Sequence, residues 1–173
     1  MEPLNYRPVS LTSILCKVCE EVIKAKWSEY LESGNILSER QFGFRKGRSC
    51  VSNLLCFYSR VTDILQHREV WVDAIYLDLK KAFDKVPHNR LMWKLKKIGV
   101  NDKLAKWMEN YLMGGEMRTV VKGRKSEWKK VTSGVPQGLV LGPIMFFIYV
   151  NDMPVGIDSY MNMFTDDTKI MRR

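Results

Sequence analysis

The sequence has no apolar run long enough to cross a membrane and no leader-like N-terminus. Its longest apolar run, from Ile144 to Val150, is far shorter than the roughly 18 residues that a spanning helix needs. The first residues, MEPLNYRPVS, lack a basic segment followed by an apolar one, which is the pattern of a secretory signal. We therefore expect an intracellular protein, in the nucleus or the cytoplasm, with no membrane partner.

Cysteine and histidine are scarce, with four and two residues respectively. Cys16 and Cys19 form a C-x-x-C pair, but a structural zinc site needs a second pair, and the spacing of Cys50 and Cys56 is poor for one. Cys16 and Cys19 also fit the apolar rhythm of a helix. Free thiols are therefore the preferred interpretation, with zinc as the alternative.

Acidic residues are outnumbered, 19 against 28 basic ones, which gives a formal charge of +9. Such an excess suits a polyanionic partner, because cations that neutralise phosphates release condensed counterions. The length of 173 residues is enough for one medium domain, and 46% apolar with 27% charged residues is typical of a folded protein.

Helical periodicity appears in five places. A first helix is predicted over Thr12–Ser33, and Ser49 is expected to cap a second. A short helix is predicted from Asn89, a longer one over about Asp102–Met113, and an apolar one after Pro143. The predicted buried stripe of the first helix is Leu15, Val18, Cys19, Val22, Ile23, Trp27, Tyr30 and Leu31; that of the second is Leu54, Leu55, Tyr58, Val61 and Leu65.

Three stretches are typical of strands. Val70–Leu79 is almost continuously apolar, which predicts a strand covered on both faces. A hairpin is predicted around Gly123, and a last strand over Tyr160–Phe164. Because helices and strands alternate irregularly and hairpins occur, the sequence predicts an α+β fold with a mainly antiparallel sheet.

Three carboxylates are candidates for a metal site. Asp78 lies in the predicted buried strand, where an unpaired charge costs several kcal/mol; a salt bridge to Lys80 or Lys81 is the structural alternative. Asp166 and Asp167 are adjacent, and taken alone they indicate a solvated turn. At a hairpin tip, however, both could join Asp78 in a hard-oxygen site for two Mg²⁺ ions, with Mn²⁺ as a possible substitute. Such a pair of cations suits phosphoryl transfer.

Two glycine-containing loops could approach an anion. Ser133–Gly138 (SGVPQG) is expected to be an exposed, shaped loop, with a plain connector as the alternative. Gly43–Arg48 combines glycine with basic residues, so the two loops together could grip a triphosphate.

Five segments, NYRPVSL, QFGFRKGRS, YLDLKKAFDKVPHNRL, SGVPQGLVLGP and FTDDTKI, occur in this order. The series resembles the reverse transcriptases of non-LTR retrotransposons, and most of all the jockey-like branch of LINE elements. The resemblance implies a right-hand polymerase, with mainly fingers over about residues 1–69 and mainly palm over about 70–173. It also implies an RNA template, a DNA primer and dNTPs as partners.

Roles follow from the resemblance position by position. Asp78 resembles the first catalytic carboxylate, a ligand of both Mg²⁺ ions, and Asp166 and Asp167 the paired carboxylates of the palm hairpin. Phe83 is similar to the gate that rejects a 2′-hydroxyl, and Gln137 and Gly138 to the loop at the incoming nucleotide and template. The resemblance assigns basic residues as follows: Arg45 and Arg48 near the triphosphate, Lys46 on nucleic acid, and Arg7, with Asn5 and Tyr6, on the template side.

Some residues depart from the family pattern. Thr165 takes the place of a small residue before the carboxylate pair, Leu139 that of a serine, and Leu79-Lys80 that of Phe-Ser; a β-branched Thr165 is expected to fit a strand. The sequence stops soon after FTDDTKI, so we expect no thumb, endonuclease or RNase H segment, and an apolar sheet surface left exposed.

Three functions stay open on the sequence. The first is an RNA-directed DNA polymerase, active or inactive as it stands. The second is a remnant that binds nucleic acid without turnover. The third is an unrelated Mg²⁺-dependent nuclease, which would need a base such as His88, although His88 fits better as a cap of the following helix. The oligomeric state is not predicted.

Overall fold

The computed structural model describes residues 9–66 and 71–172. The helices are α1 (Ile14–Ser33), α2 (Cys50–Leu65), α3 (His88–Lys97), α4 (Asp102–Leu112) and α5 (Gly142–Val150). The strands are β1 (Asp73–Asp78), β2 (Glu116–Met117), β3 (Val120–Val121), β4 (Arg124–Lys125), β5 (Lys129–Lys130), β6 (Tyr160–Phe164) and β7 (Asp167–Arg172), and Phe83–Lys85 forms a 3₁₀ turn. All strand pairs are antiparallel, so the predicted α+β class is confirmed. In the described residues, no helix is both long and apolar enough to cross a membrane.

The chain forms two compact units that are interleaved in sequence. Unit 1 comprises Met1–Tyr30 and Lys81–Tyr149, and unit 2 comprises Leu31–Lys80 and Val150–Arg173. The division into fingers and palm near residue 70 concerns functional parts of a polymerase and stays a prediction.

Unit 2 is built on a three-stranded sheet in the order β1-β7-β6. Strand β6 begins and ends at the predicted residues, and β7 returns antiparallel beside it. Helix α2 packs on β6, and its start is fixed by Ser49 and Ser52, whose side chains each accept a backbone N–H of the other residue. The predicted cap at Ser49 is therefore confirmed.

The prediction that β1 is covered on both faces is wrong. All six residues of β1 are exposed, including Ile75 at 56% and Tyr76 at 66%. The strand lies at an edge of the sheet, and the Phe57 ring lies beside that of Tyr76, with centroids 6.0 Å apart, without burying it. The apolar run therefore predicted the strand correctly but not whether other elements bury it. The expectation that apolar sheet surface is exposed is confirmed.

The predicted buried faces of α1 and α2 are also wrong in large part. On α1 the buried side chains are Glu20, Trp27 and Leu31, and on α2 they are Asn53 and Phe57. Exposed instead are several members of the predicted stripes: Leu15, Val18, Val22 and Tyr30 on α1, and Leu54, Leu55, Tyr58 and Leu65 on α2. Apolar residues occur on more than one side of each helix, and each helix buries the side that carries a hydrogen-bonded polar residue.

Unit 1 has its core around α5. This helix is almost wholly buried from Ile144 to Val150, and Pro143 lies in its first turn, as predicted. Asn101 caps α4 by accepting the N–H of Lys103. The predicted hairpin spans β2 to β5, and its tip residues Lys122 and Gly123 both have positive φ, 47° and 78°, as a tight hairpin turn requires.

Candidate active site

Strand register brings two of the predicted carboxylates together in unit 2. Asp78, the last residue of β1, is the direct antiparallel partner of Asp167, the first residue of β7. Directly opposite residues project on the same face of a sheet. Thr165 and Asp166 form the two-residue turn between Phe164 and Asp167, so the pair lies at a hairpin tip as expected.

Asp78 is more accessible to water than predicted. Asp78 and Asp167 are exposed and Asp166 is partly buried. The prediction that Asp78 is a charge in a buried strand is therefore wrong, because β1 is an exposed edge strand. In the described residues, Asp78 has no ion pair with Lys80 or Lys81 either.

The turn that carries Asp166 is held in an uncommon backbone conformation. Thr165 has φ 62°, a region that β-branched residues rarely adopt, so the expectation that it sits in a regular strand is wrong. Gln41, only 2% exposed, holds this residue: its Oε1 accepts the Thr165 N–H at 3.1 Å, and its Nε2 donates to the Thr165 carbonyl at 3.4 Å. Gln41 thus satisfies both backbone groups of the strained residue.

The segment Arg40–Gly43 runs along the hairpin beside Gln41. Met163 donates its N–H to the Arg40 carbonyl at 2.8 Å, and Phe42 donates to the Met163 carbonyl at 2.9 Å. A Cβ on Gly43 would lie 2.7 Å from both the N and the Oγ1 of Thr165, closer than real Cβ contacts. Sequence reasoning missed Gln41 and Gly43 as supports of the carboxylates; a glycine between two phenylalanines was the available signal.

Arg45 and Arg48 both have partners within unit 2. Arg45 makes a two-pronged contact with Glu32, with Nε to Oε1 at 3.0 Å and Nη2 to Oε2 at 2.7 Å. This hydrogen bond is the main cause that lowers the pKa of Glu32 and raises that of Arg45. Arg48 pairs with Glu39, whose side chain is 79% exposed. Lys46, between the two arginines in sequence, is exposed.

In unit 1, the loop Ser133–Gly138 is anchored at its start. Gly134 and Val135 donate their N–H groups to the carbonyls of Val86 and Phe83, each at 2.8 Å. His88 is 6% exposed and its Nε2–H donates to the Gly134 carbonyl at 2.8 Å. The expectation that His88 caps α3 is wrong: it is the first residue of the helix and holds this loop.

The far end of the loop is held by a residue that sequence reasoning missed. Glu20 is fully buried, and its Oε2 accepts the N–H groups of Val140 at 2.9 Å and Leu141 at 3.1 Å. Its Oε1 accepts the hydroxyl of Tyr111 at 3.1 Å and the thiol of Cys16 at 3.3 Å. Burial and the nearby carboxylate raise the pKa of Tyr111, so the phenol remains a donor. An acidic residue inside an apolar helix stripe was the available signal.

Three of the residues predicted to contact the nucleotide, Phe83, Gln137 and Gly138, lie in this loop or next to it. The Gln137 carbonyl accepts the Ser10 N–H at 2.8 Å, and Gly138 has φ 89°. Phe83 is partly buried and its ring stacks on Phe146, with centroids 4.5 Å apart. Arg7, with Asn5 and Tyr6, lies outside the described residues.

The donor set at the hairpin is chemically suited to a hard divalent cation. Carboxylate oxygens are the ligands that Mg²⁺ prefers, and two like charges about 4 Å apart repel by about 4 kcal/mol at an effective dielectric of about 20. Within residues 9–66 and 71–172, no three acidic, histidine or cysteine side chains are close enough to hold one ion together. The register supplies two neighbouring carboxylates, Asp78 and Asp167, with Asp166 next in sequence.

An antiparallel sheet that ends in carboxylates from adjacent strands defines a candidate site for cation-assisted phosphoryl transfer. The model of the family described as "Reverse transcriptase (RNA-dependent DNA polymerase)" matches residues 2–173. The chain belongs to this family, and the resemblance seen in the sequence is confirmed.

Two curated proteins from mobile elements of Drosophila melanogaster are similar to the chain. The chain is 32% identical over 158 residues to "Probable RNA-directed DNA polymerase from transposon BS" of Drosophila melanogaster, covering 88% of this chain and 17% of that protein. It is 29% identical over 177 residues to "RNA-directed DNA polymerase from mobile element jockey" of the same organism, covering 98% and 19%. The chain thus spans less than a fifth of the length of these relatives.

Solved structures show the same fold at low identity. Telomerase from Candida tropicalis in complex with a fragment of telomeric RNA has a TM-score of 0.65 and 13% identity, covering 91% of this chain and 28% of that one. A truncated apo form of the enzyme gives a TM-score of 0.63 and 14% identity, covering 89% and 34%.

Proposed function

We propose that this chain supplies the catalytic carboxylates of an RNA-directed DNA polymerase, which joins a deoxynucleotide from a dNTP to the 3′-hydroxyl of a DNA primer on an RNA template. The observation that carries the proposal is the register that sets Asp78 opposite Asp167 beside the Asp166 turn. Membership of the family supports it.

In this reaction, the primer 3′-oxygen forms a bond to the α-phosphorus of the dNTP, the bond to pyrophosphate breaks, and the hydroxyl proton passes to solvent water. Asp78, Asp166 and Asp167 would hold two Mg²⁺ ions, or Mn²⁺ in their place, which when bound favour the ionised hydroxyl and neutralise the leaving pyrophosphate. Gln41 keeps the turn that positions Asp166 in one conformation. Because the carboxylates are accessible, their cations can reach them from solvent.

The remaining roles belong to the same proposal. Phe83 limits space at the sugar and thereby rejects ribonucleotides, and Gln137 and Gly138 contact the incoming nucleotide and template. Of the two arginines we favour Arg48 for the triphosphate, because its carboxylate partner Glu39 is exposed, whereas Arg45 is only 8% exposed in its two-pronged pair with Glu32. Arg48 also donates to the carbonyls of Glu39 and Gln41, which hold the side chain in place. Lys46 and Arg7 contact nucleic acid.

Primer extension on an RNA template, with Mg²⁺ and dNTPs, tests the proposal. The unmutated chain should extend the primer, whereas Asp78→Asn and Asp166→Asn should each reduce extension below detection and leave RNA affinity within about twofold. These side chains are accessible, so the substitutions are expected to leave the fold intact. Extension that survives either substitution would refute the metal assignment.

A second function is a nucleic-acid-binding remnant without turnover, favoured by the net charge of +9. Its signature is salt-dependent RNA binding without extension by the unmutated chain. Adding the downstream part of a relative in the same reading frame then separates the two: restored extension identifies an intact site that needs further chain, and continued inactivity identifies the remnant.

A further inference from the structure

The hairpin Glu116–Lys130 of unit 1, called the hairpin strip below, carries six cations against two carboxylates, Glu116 and Glu127. Glu116 lies directly opposite Lys130 in the strand register, so the strip has an excess of four positive charges. Its six cations are Arg118, Lys122, Arg124, Lys125, Lys129 and Lys130, and every residue of the hairpin is exposed. In the part of the chain that the structure describes, none of the six has a carboxylate within salt-bridge distance. A strip with this charge attracts a phosphate backbone.

An aromatic ring stands among these cations. The Trp128 side chain is 55% exposed, and the guanidinium carbon of Arg118 lies 4.6 Å from its ring centroid. Exposed aromatic rings between cations act as stacking platforms for unpaired bases, because every base has a π-face. A base pair within a duplex has both faces already stacked, so this combination selects a single strand.

A cleft of about 440 Å³ opens at the base of the same hairpin. Its walls include Met117 and Lys130 from the hairpin, Tyr111 from α4, and Pro136 and Gln137 from the loop. The volume lies in the range of about 300–1,000 Å³ that is typical of small-ligand sites, so one base fits. Lys130 borders both the cleft and the strip, which makes the two continuous.

We propose that the hairpin strip and this cleft form one binding site for single-stranded nucleic acid. The cations contact successive phosphates, and bases stack on Trp128 or enter the cleft. The site requires neither cation nor dNTP; only the identification of the bound strand as the template rests on the proposed function.

The electrostatic part is tested by binding of a labelled single-stranded RNA of about 12 nucleotides, within the usual site sizes, to the chain carrying Asp166→Asn. Fluorescence anisotropy over a range of salt concentrations gives the dependence of log K on log salt. Replacing Lys122, Arg124 and Lys125 by Gln should reduce that slope by about 2, at about 0.7 for each lost phosphate contact.

The matched control replaces three exposed cations elsewhere in unit 1, Lys96, Lys97 and Lys103, by Gln. This variant has the same net charge and should keep most of the slope. An equal loss of slope from both triple variants would overturn the proposal, since it would indicate attraction to the whole molecule.

The base-contacting part has its own control. Trp128→Ala should weaken binding roughly tenfold or more, whereas Trp93→Ala should not. Trp93 is 59% exposed and has the Lys97 ammonium 5.1 Å from its ring centroid, so it matches Trp128 in exposure and in its neighbouring cation.

An abasic strand of equal length should bind more weakly than the RNA, and the affinity for a blunt duplex should fall less on Trp128→Ala than the affinity for the single strand. Equal affinity for the abasic strand would refute base contacts. The binding assay contains no dNTP and uses a chain without Asp166, so a failure of RNA binding and a failure of primer extension are separate results.

Discussion

At the scale of single residues, the position of Asp166 depends on contacts made far away in sequence. Gln41 lies 124 residues before Thr165 and satisfies both of its backbone groups. Gly43 has no Cβ, and this leaves room for the backbone N and the hydroxyl of Thr165. The two residues hold the hairpin tip without any charge of their own, so they set geometry rather than electrostatics.

Gly43→Ala should shift the turn, because its Cβ would meet the backbone N of Thr165 at 2.7 Å. We expect the free energy of unfolding to fall by about 1–3 kcal/mol, as in other overpacked sites, and primer extension to fall more than RNA affinity. The control for stability is Gly115→Ala, since a Cβ there meets nothing within 4 Å. Equal stability of the two variants in urea titrations would contradict the role of Gly43.

The pair of Glu32 and Arg45 makes stability depend on pH. The hydrogen bond from Arg45 lowers the pKa of Glu32 in the folded chain below its ordinary 4.5. The unfolded chain therefore binds a proton at higher pH than the folded one, so the pair stabilises above about pH 4.5 and this contribution is lost as the pH falls through the folded pKa.

Glu32→Gln should thus be less stable than the unmutated chain at pH 7, and the difference should shrink as the pH falls below 4.5. Urea titrations at several pH values measure it. Glu29→Gln, which alters an exposed i,i+3 pair with Lys26, serves as the control and should change stability little at any pH. A difference that does not vary with pH would show that Glu32 acts by packing alone.

At the scale of elements, helix α1 holds the loop that precedes α5. Glu20 accepts two consecutive backbone N–H groups at the end of this loop, from a position 120 residues before Val140. The start of the loop is held by His88 and the backbone around Phe83. Gln137 and Gly138 therefore lie between two fixed points, which favours a single loop conformation.

Glu20→Ala should leave two N–H groups without an acceptor, at a cost of about 1–3 kcal/mol each. We expect KM for dNTPs to rise more than kcat falls, because the loop loses its fixed end. Glu20→Gln retains an oxygen acceptor and should keep KM for dNTPs close to that of the unmutated chain. Tyr111→Phe removes one donor to Glu20 and should also leave KM nearly unchanged. A Gln variant as impaired as the Ala variant would show that the carboxylate charge itself is needed.

At the scale of the whole molecule, β1 leaves apolar side chains in water. Ile75 is 56% exposed on an edge strand, and such edges pair with other chains. Ile75→Thr should reduce self-association in sedimentation velocity and lower stability by at most about 1 kcal/mol. Val155→Thr, at a site 77% exposed outside any strand, should change neither. Unaltered association of the Ile75 variant would exclude this edge as the contact.

The sequence predicted most helices and strands correctly, but it did not predict which of their faces are buried. Strand β6, the Gly123 hairpin and the Ser49 cap follow from local patterns, whose physics involves neighbours along the chain. The cover of β1 and the buried side of α1 depend on which distant segments pack there, and an apolar stripe carries no information on that. The roles of Gln41 and Glu20 were missed for the same reason, because the backbone groups that they bind at Thr165 and Val140 lie more than a hundred residues away.

The interleaving of the two units has a consequence for synthesis on the ribosome. Unit 1 has all its residues once Tyr149 has emerged, whereas the sheet of unit 2 needs β7, which ends at Arg172. Since β1 pairs only with β7 among the described strands, it has to wait as an unpaired apolar segment while the intervening chain is translated. The loop support of unit 1 is therefore complete in the nascent chain before the strand register that sets Asp78 opposite Asp167 can form.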